Sequence, residues 1–83
     1  MKEIKIYTTN YCPYCQRAKA FFTSKKWVCQ EIDLTDNQAL REEVQKKTGW
    51  LTVPMIFIGD EFIGGYDDMM KLEQSGKLIT MLN

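Results

Sequence analysis

The 83-residue sequence contains no histidine. That absence removes the Ser-His-Asp and Cys-His nucleophile arrangements and every imidazole metal site. Net charge is missing too, because eleven Lys and Arg balance eleven Asp and Glu. No bulk field therefore draws in nucleic acid or an anionic membrane. Cysteine is scarce and odd in number: Cys12 and Cys15 lie three positions apart and Cys29 stands alone. That pattern does not build a disulfide-stapled secreted miniprotein. No apolar run approaches membrane-spanning length, and charges at Lys2, Glu3 and Lys5 fall where a signal peptide needs an apolar stretch. A cytoplasmic protein with no nucleic-acid and no membrane partner is expected. In that reducing setting a close cysteine pair is catalytic or metal-binding sooner than structural.

What is present reads as a globular chain: 45% of residues are hydrophobic, 12% aromatic and 27% charged. The length predicts one domain over residues 1–83, with a thin core, since such chains bury only about 60 to 65% of their unfolded surface. Alternation from Ile4 to Thr8 predicts a strand, and Pro13 sits where a first helical residue belongs. Tyr14, Ala18, Phe21 and Phe22, with Cys15 beside them, form the apolar side of that helix, which fades at Ser24 to Lys26. A β-prone stretch from Trp27 to Ile32 leads into Thr35-Asp36-Asn37-Gln38, which has the form of a capping box. The next helix presents Leu40 and Val44 inward, pairs Glu42 with Lys46 and Glu43 with Lys47 outside, and stops at Gly49. Met55 to Ile58 and Glu61 to Ile63 flank Gly59-Asp60 as an antiparallel hairpin. Gly64-Gly65 ends it, Asp67 or Asp68 caps a helix holding Met69, Met70 and Leu72, and Gly76 precedes a last apolar turn from Leu78 to Leu82. The opening βαβ unit and the later hairpin combine into an α/β fold, a mixed four-stranded sheet packed by three to four helices.

Chemistry concentrates at Cys12-Pro13-Tyr14-Cys15, on the strand-to-helix junction. With Cys12 as N-cap, its sulfur takes the place of a capping hydroxyl over the free N–H groups of Tyr14 and Cys15. Those donors and the helix dipole favour a thiolate. Cys15, at the position from which a capping-box side chain reaches back, can meet the first sulfur, so a reversible disulfide follows. Cys12, exposed at the turn, is the attacking thiol, and Cys15 on the inner side is the resolving one. Pro13 supports the site by fixing the first helical φ, and Tyr14 shields it. The competing reading, half of a zinc site, lacks ligands, because only the distant Cys29 remains. Cys29 itself reads as core, as do Phe21 and Phe22. Lys25-Lys26 and Lys46-Lys47 read as solvated faces. Trp50 either packs locally or flanks a ligand groove, and Tyr11 is open in the same way.

Over essentially its whole length the chain resembles a dithiol glutaredoxin of the thioredoxin fold. The Cys-Pro-Tyr-Cys block matches that family, and three further blocks agree. Thr52-Val53-Pro54 resembles the family's Thr-Val-Pro loop, whose proline is cis and lies against the active site. Gly64-Gly65-Tyr66-Asp67-Asp68 resembles the block that holds the γ-glutamyl end of glutathione. Arg41 sits where the family places a polar or basic residue for the glycine carboxylate. The resemblance implies catalytic Cys12 and Cys15, and glutathione contacts from Tyr14, Arg41, Thr52, Val53, Pro54, Gly65, Tyr66, Asp67 and Asp68. Glutathione is implied as co-substrate, with no tightly bound cofactor and no metal. Glutathionylated or disulfide-containing proteins are the implied partners of a monomer. Chemistry fits this: Asp67 and Asp68 at a helix start suit an amine, N–H groups there suit a carboxylate, and Arg41 suits the second carboxylate. The extended segment before Pro54, with the Val53 backbone unpaired, suits the cysteinyl backbone.

Two basic residues of the family are absent. A Lys common three residues before the first active-site Cys is Thr9 here, a supporting position, and an Arg common before the Thr-Val-Pro loop is replaced at Trp50-Leu51. Weaker glutathione binding is expected than in a relative that carries the Lys. Those losses also keep open a thioredoxin-like protein reductant recharged by a flavoprotein reductase. A dimer carrying an iron-sulfur cluster is a further alternative, disfavoured by the bulk of Pro13-Tyr14.

Overall fold

The computed structural model describes residues 1–83. Its elements are β1 (Ile4–Thr8), α1 (Pro13–Ser24), β2 (Cys29–Asp33), α2 (Gln38–Thr48), β3 (Met55–Ile58), β4 (Glu61–Gly64), α3 (Tyr66–Gln74) and α4 (Lys77–Leu82). The strands form one sheet in the order β2-β1-β3-β4. β1 runs parallel to β2 and antiparallel to β3, with Ile4 opposite both Cys29 and Ile58. β3 and β4 are antiparallel, with a register shift between Ile56 and Phe57. The mixed four-stranded sheet of a thioredoxin-like fold, with four helices, is therefore what the chain builds.

Side-chain alternation on β3 divides the core in two. Ile56 and Ile58 join Ile4 and Ile6 from β1, Ala18 and Phe22 from α1, Met69 from α3, and Leu78 and Leu82 from α4. Met55 and Phe57 point the other way, onto Leu34 and Val44. A central strand covered on both faces needs a continuous apolar run, and Met-Ile-Phe-Ile supplies it, with all four residues buried. Helix α2 closes one face of the sheet, while α1, α3 and α4 close the other. Cys29, on the β2 edge, is half-buried and packs against the larger cluster, and burial raises its thiol pKa.

Local signals account for most boundaries. Pro13 opens α1 at its first turn, and Gly49 ends α2 in the left-handed conformation at φ 73°, its N–H on the Gln45 carbonyl. Three expectations fail here. The Thr35 capping box does not form, because Asp33 Oδ1 takes both the Thr35 N–H and its hydroxyl. Asn37 caps α2 instead, accepting from the Leu40 N–H at 3.2 Å. The Glu42–Lys46 and Glu43–Lys47 pairs are also absent: Glu42 accepts from Gln38, and the ion pairs that do form, Lys19–Glu31 and Lys25–Glu73, tie different elements together. Finally, Gly65 and not an aspartate is the cap residue of α3.

Candidate functional site

Strand β1 delivers the chain to a short turn, Thr9-Asn10-Tyr11, that Thr35 holds by accepting the Asn10 N–H at 2.9 Å. Cys12 follows in extended conformation, at φ −102° and ψ 111°, as the residue capping α1. Its Sγ accepts the Cys15 N–H at 3.1 Å. This is the geometry derived for a sulfur in the seat of a capping oxygen, and it aims the start of the helix at the reactive atom.

Cys12 is less open than expected, with 9% of its surface exposed. The reason lies outside the local sequence: the loop ahead of β3 covers it, and the Cys12 thiol meets the Val53 carbonyl at 3.6 Å. The peptide bond from Val53 to Pro54 is cis, as the family resemblance implies. Cys15 is fully buried on the inner side of α1. Burial pushes the Cys15 thiol up to about 12, and a hydrogen bond to Cys12 adds to that, while the backbone of Thr9 and the Lys19 ammonium pull it down. A buried neutral thiol thus stands next to a sulfur that accepts one backbone N–H, that of Cys15, and not the Tyr14 N–H as well. That pair can carry two electrons between a dithiol and a disulfide.

A cleft of about 360 Å³ opens beside Cys12, within the range that takes small ligands. Four segments build it. Tyr14 comes from α1, Thr52, Val53 and Pro54 from the loop before β3, Gly65, Tyr66, Asp67 and Asp68 from the start of α3, and Trp50 from the segment after α2. Gly64 is required by close approach: it has φ 106°, and a Cβ there would stand 2.7 Å from the Asp68 carboxylate. That carboxylate accepts the Gly65 N–H at 3.0 Å, and the start of α3, where N–H groups lack partners within the helix, lines the cleft. Asp67 and Asp68 are the only charged residues of the lining.

The structure thus brings together every residue singled out for glutathione contact except Arg41. Arg41 donates to the Tyr11 hydroxyl at 3.4 Å and stands outside the lining. Tyr14 is half-exposed rather than packed inward, 6.1 Å from Tyr66 between ring centroids, with the Arg17 guanidinium 5.0 Å over its face. Trp50 does both things that its position allowed, lining the cleft and packing edge-on against Phe62 at 5.6 Å. Its indole N–H is buried without a partner, as is the Thr9 hydroxyl. The resemblance places the Thr52-Val53-Pro54 loop against the site, but the Val53 carbonyl, expected to be unpaired, is taken by the Cys12 thiol, a contact between residues 41 positions apart that sequence reasoning missed.

Comparison with known proteins agrees with the fold and the cysteine pair. The Glutaredoxin family matches residues 4–63. Glutaredoxin 3 of Escherichia coli is 46% identical over 82 residues, covering 99% of both chains. The glutaredoxin of Pseudomonas aeruginosa is 45% identical over 83 residues, covering 100% of this chain and 99% of its own. Among solved structures, a buckwheat glutaredoxin–glutathione complex superposes with a TM-score of 0.91 at 36% identity, covering 98% of this chain and 76% of that one. The glutaredoxin of Brucella melitensis gives 0.86 at 45% identity, covering 99% and 89%. By sequence and by fold the chain belongs to the glutaredoxin family of thiol-disulfide oxidoreductases.

Proposed function

We propose that the protein is a glutathione-dependent oxidoreductase that reduces protein–glutathione mixed disulfides through Cys12 and protein disulfides through the Cys12–Cys15 pair. The observation that carries this reading is the dual place of Val53, which meets the Cys12 thiol with its carbonyl and also lines the cleft. Reactive sulfur and ligand cleft are therefore contiguous. The buckwheat relative was solved with glutathione, and the cleft here offers matching chemistry. Free N–H groups at the start of α3 suit the γ-glutamyl carboxylate, Asp67 and Asp68 suit its ammonium, and the Thr52–Pro54 segment suits the cysteinyl backbone.

In the first reaction the Cys12 thiolate attacks the glutathione sulfur of a mixed disulfide, and the protein thiolate leaves and takes up a proton. Glutathione remains on Cys12, and the thiolate of a second glutathione attacks its sulfur, giving glutathione disulfide and free Cys12. With a protein disulfide, Cys12 first forms a mixed disulfide with one protein sulfur. Cys15 then attacks Cys12 Sγ, expels the second protein thiol and closes the Cys12–Cys15 bond, which two glutathione molecules reopen. Glutathione is consumed as co-substrate, so the reading suits a monomer in a reducing compartment such as the cytoplasm.

The test is a pair of variants assayed with glutathione and glutathione reductase. Cys15→Ser keeps turnover of a glutathionylated peptide and loses reduction of insulin disulfides, and Cys12→Ser loses both. Loss of deglutathionylation in Cys15→Ser would overturn the division of roles. Turnover with thioredoxin reductase but not with glutathione would overturn the choice of reductant.

A further inference from the structure

The chain has two arginines, and each stands on a tyrosine close in sequence to Cys12. The Arg17 guanidinium lies 5.0 Å over the Tyr14 ring, and Arg41 donates to the Tyr11 hydroxyl at 3.4 Å. Neither has a carboxylate partner, since the ion pairs of the molecule are Lys19–Glu31 and Lys25–Glu73. The sequence explains this: residues 6–30 contain no Asp or Glu, and residues 49–54 contain no charge at all. A chain of zero net charge thus carries a cationic side at Cys12, opposite in sign to Asp67 and Asp68 of the cleft. The same side is apolar. Tyr11 is 68% exposed, Tyr14 49% and Leu51 74%. Exposed apolar side chains scattered singly need no explanation, but these three converge. Tyr11 and Tyr14 lie one residue before and two after Cys12, and Leu51 lies two before Val53, whose carbonyl meets the Cys12 thiol at 3.6 Å. Helix α2 braces them from one face: Arg41 and Gln45, one turn apart, bind the Tyr11 hydroxyl and, at 3.4 Å, the Leu51 carbonyl.

We propose that this surface docks the protein half of the substrate, an extended segment whose target cysteine is flanked by acidic residues and a large apolar one. Glutathione takes the cleft in the proposed reaction, which leaves the tyrosine side for the polypeptide on the other sulfur. Charge selects the flanks. A guanidinium held on a ring face keeps its N–H donors in one plane, the arrangement that a carboxylate accepts in pairs, and a lysine-rich segment would be repelled by both arginines. Tyrosines and a leucine beside them supply contact area at low entropic cost. The residues involved are a fraction of the roughly 20–30 per side that a stable interface engages, so the surface suits a short segment held for one turnover and not a folded domain.

This inference rests on the proposed glutathione chemistry at Cys12, and its test separates the two ideas. Three glutathione mixed disulfides are assayed with glutathione and glutathione reductase: that of 2-mercaptoethanol, which has no polypeptide, and those of two peptides identical except that Glu and Leu, or Lys and Leu, flank the cysteine. Wild type prefers the Glu peptide about tenfold in kcat/KM at low salt, and the preference falls towards one at about 1 M, where the Debye length is about 3 Å. Asp67 and Asp68 of the cleft would favour the Lys peptide, so an acidic preference comes from the tyrosine side. Arg17→Glu inverts the ratio, which cancels any loss of folded protein. Leu51→Ser lowers both peptides severalfold relative to the 2-mercaptoethanol disulfide. A wild-type ratio of one or below, a ratio that neither salt nor Arg17→Glu moves, or a Leu51→Ser variant that treats the peptides as wild type does overturns the inference. The reduced protein sediments as a monomer; a dimer that Leu51→Ser dissociates assigns the surface to a second copy and overturns it as well. Failure on all three disulfides overturns the glutathione reading instead, and the same flanks around an intrapeptide disulfide, reduced stoichiometrically by the dithiol protein, then decide the docking surface by the same ratio.

Discussion

Replacing Gly64 by Ala should be among the most damaging single-methyl changes in the molecule. Two costs add. At φ 106° an L-residue is strained, by about 1–2 kcal/mol for a left-handed backbone. The new Cβ would also stand 2.7 to 2.9 Å from Oδ2, Cγ and Cβ of Asp68. Because the root of that side chain is hit as well as its tip, Asp68 cannot simply swing aside. Its bond to the Gly65 N–H, 3.0 Å long, is lost, which costs about 1 kcal/mol for a helix cap. The sum is about 3 kcal/mol, against a total of roughly 4–12 kcal/mol for a chain of this size. The corresponding fall in Tm is roughly 12 to 24 °C. Two neighbours supply controls. Gly49, at φ 73° with nothing within 4 Å, should lose only the backbone contribution, about 1–2 kcal/mol. Gly65 has φ −99° and meets Pro54 O at 3.5 Å and Trp50 at 3.8 Å, ordinary contacts that leave stability nearly intact. Its methyl instead occupies the cleft, so KM for a glutathione mixed disulfide should rise severalfold. Urea melts of the reduced proteins at pH 7 rank the series. A Gly64→Ala variant within 1 kcal/mol of wild type, or more stable than Gly49→Ala, would refute the reasoning.

Two further outcomes follow from buried groups. Cys15 has its folded pKa raised by burial from 9.0 to about 12. The neutral thiol is the form that the fold prefers, so its contribution is complete below pH 9 and lost as pH rises from 9 towards 12. Reduced wild type should therefore lose stability over that window faster than Cys15→Ser, as parallel melts will reveal; equal slopes would contradict the assignment. At Trp50, Phe should preserve the edge-on contact with Phe62 and remove the partnerless indole N–H, leaving stability within about 1 kcal/mol of wild type. Ala at the same place should cost about 2–3 kcal/mol in the same melts, below the range for a fully buried Trp. A Phe variant as unstable as Ala would refute the packing role.

Features carried by neighbouring residues were legible in the sequence. Pro13 and Gly49 mark helix ends through their own backbone constraints, and Met55 to Ile58 reads as a buried strand because nothing in it is polar. The cysteine pair is legible for the same reason: its chemistry depends on the first turn of α1. What was misread depends on competition or on distance. Thr35 had two possible partners, and the shorter Asx-type contact to Asp33 won over capping. Glu42 and Glu43 had helical spacing for ion pairs, but exposed pairs gain too little to hold long side chains in place. The cover over Cys12 comes from a loop far along the chain, and the position of Arg41 depends on Tyr11 from another element. No periodicity encodes either contact.

Helix α1 begins on a cap that chemistry can change. A serine or aspartate in that seat would hold the Cys15 N–H permanently, whereas the sulfur that accepts it here is also the atom that thiol-disulfide chemistry modifies. Once Cys12 is alkylated or joined to another sulfur, that acceptor weakens and the first turn loses part of its anchor. Redox state is therefore written into the backbone, and solvent exchange of the Cys15 amide can report it. The same coupling runs in reverse: whatever steadies the start of this helix favours the reduced protein, and so makes the disulfide form the more ready oxidant.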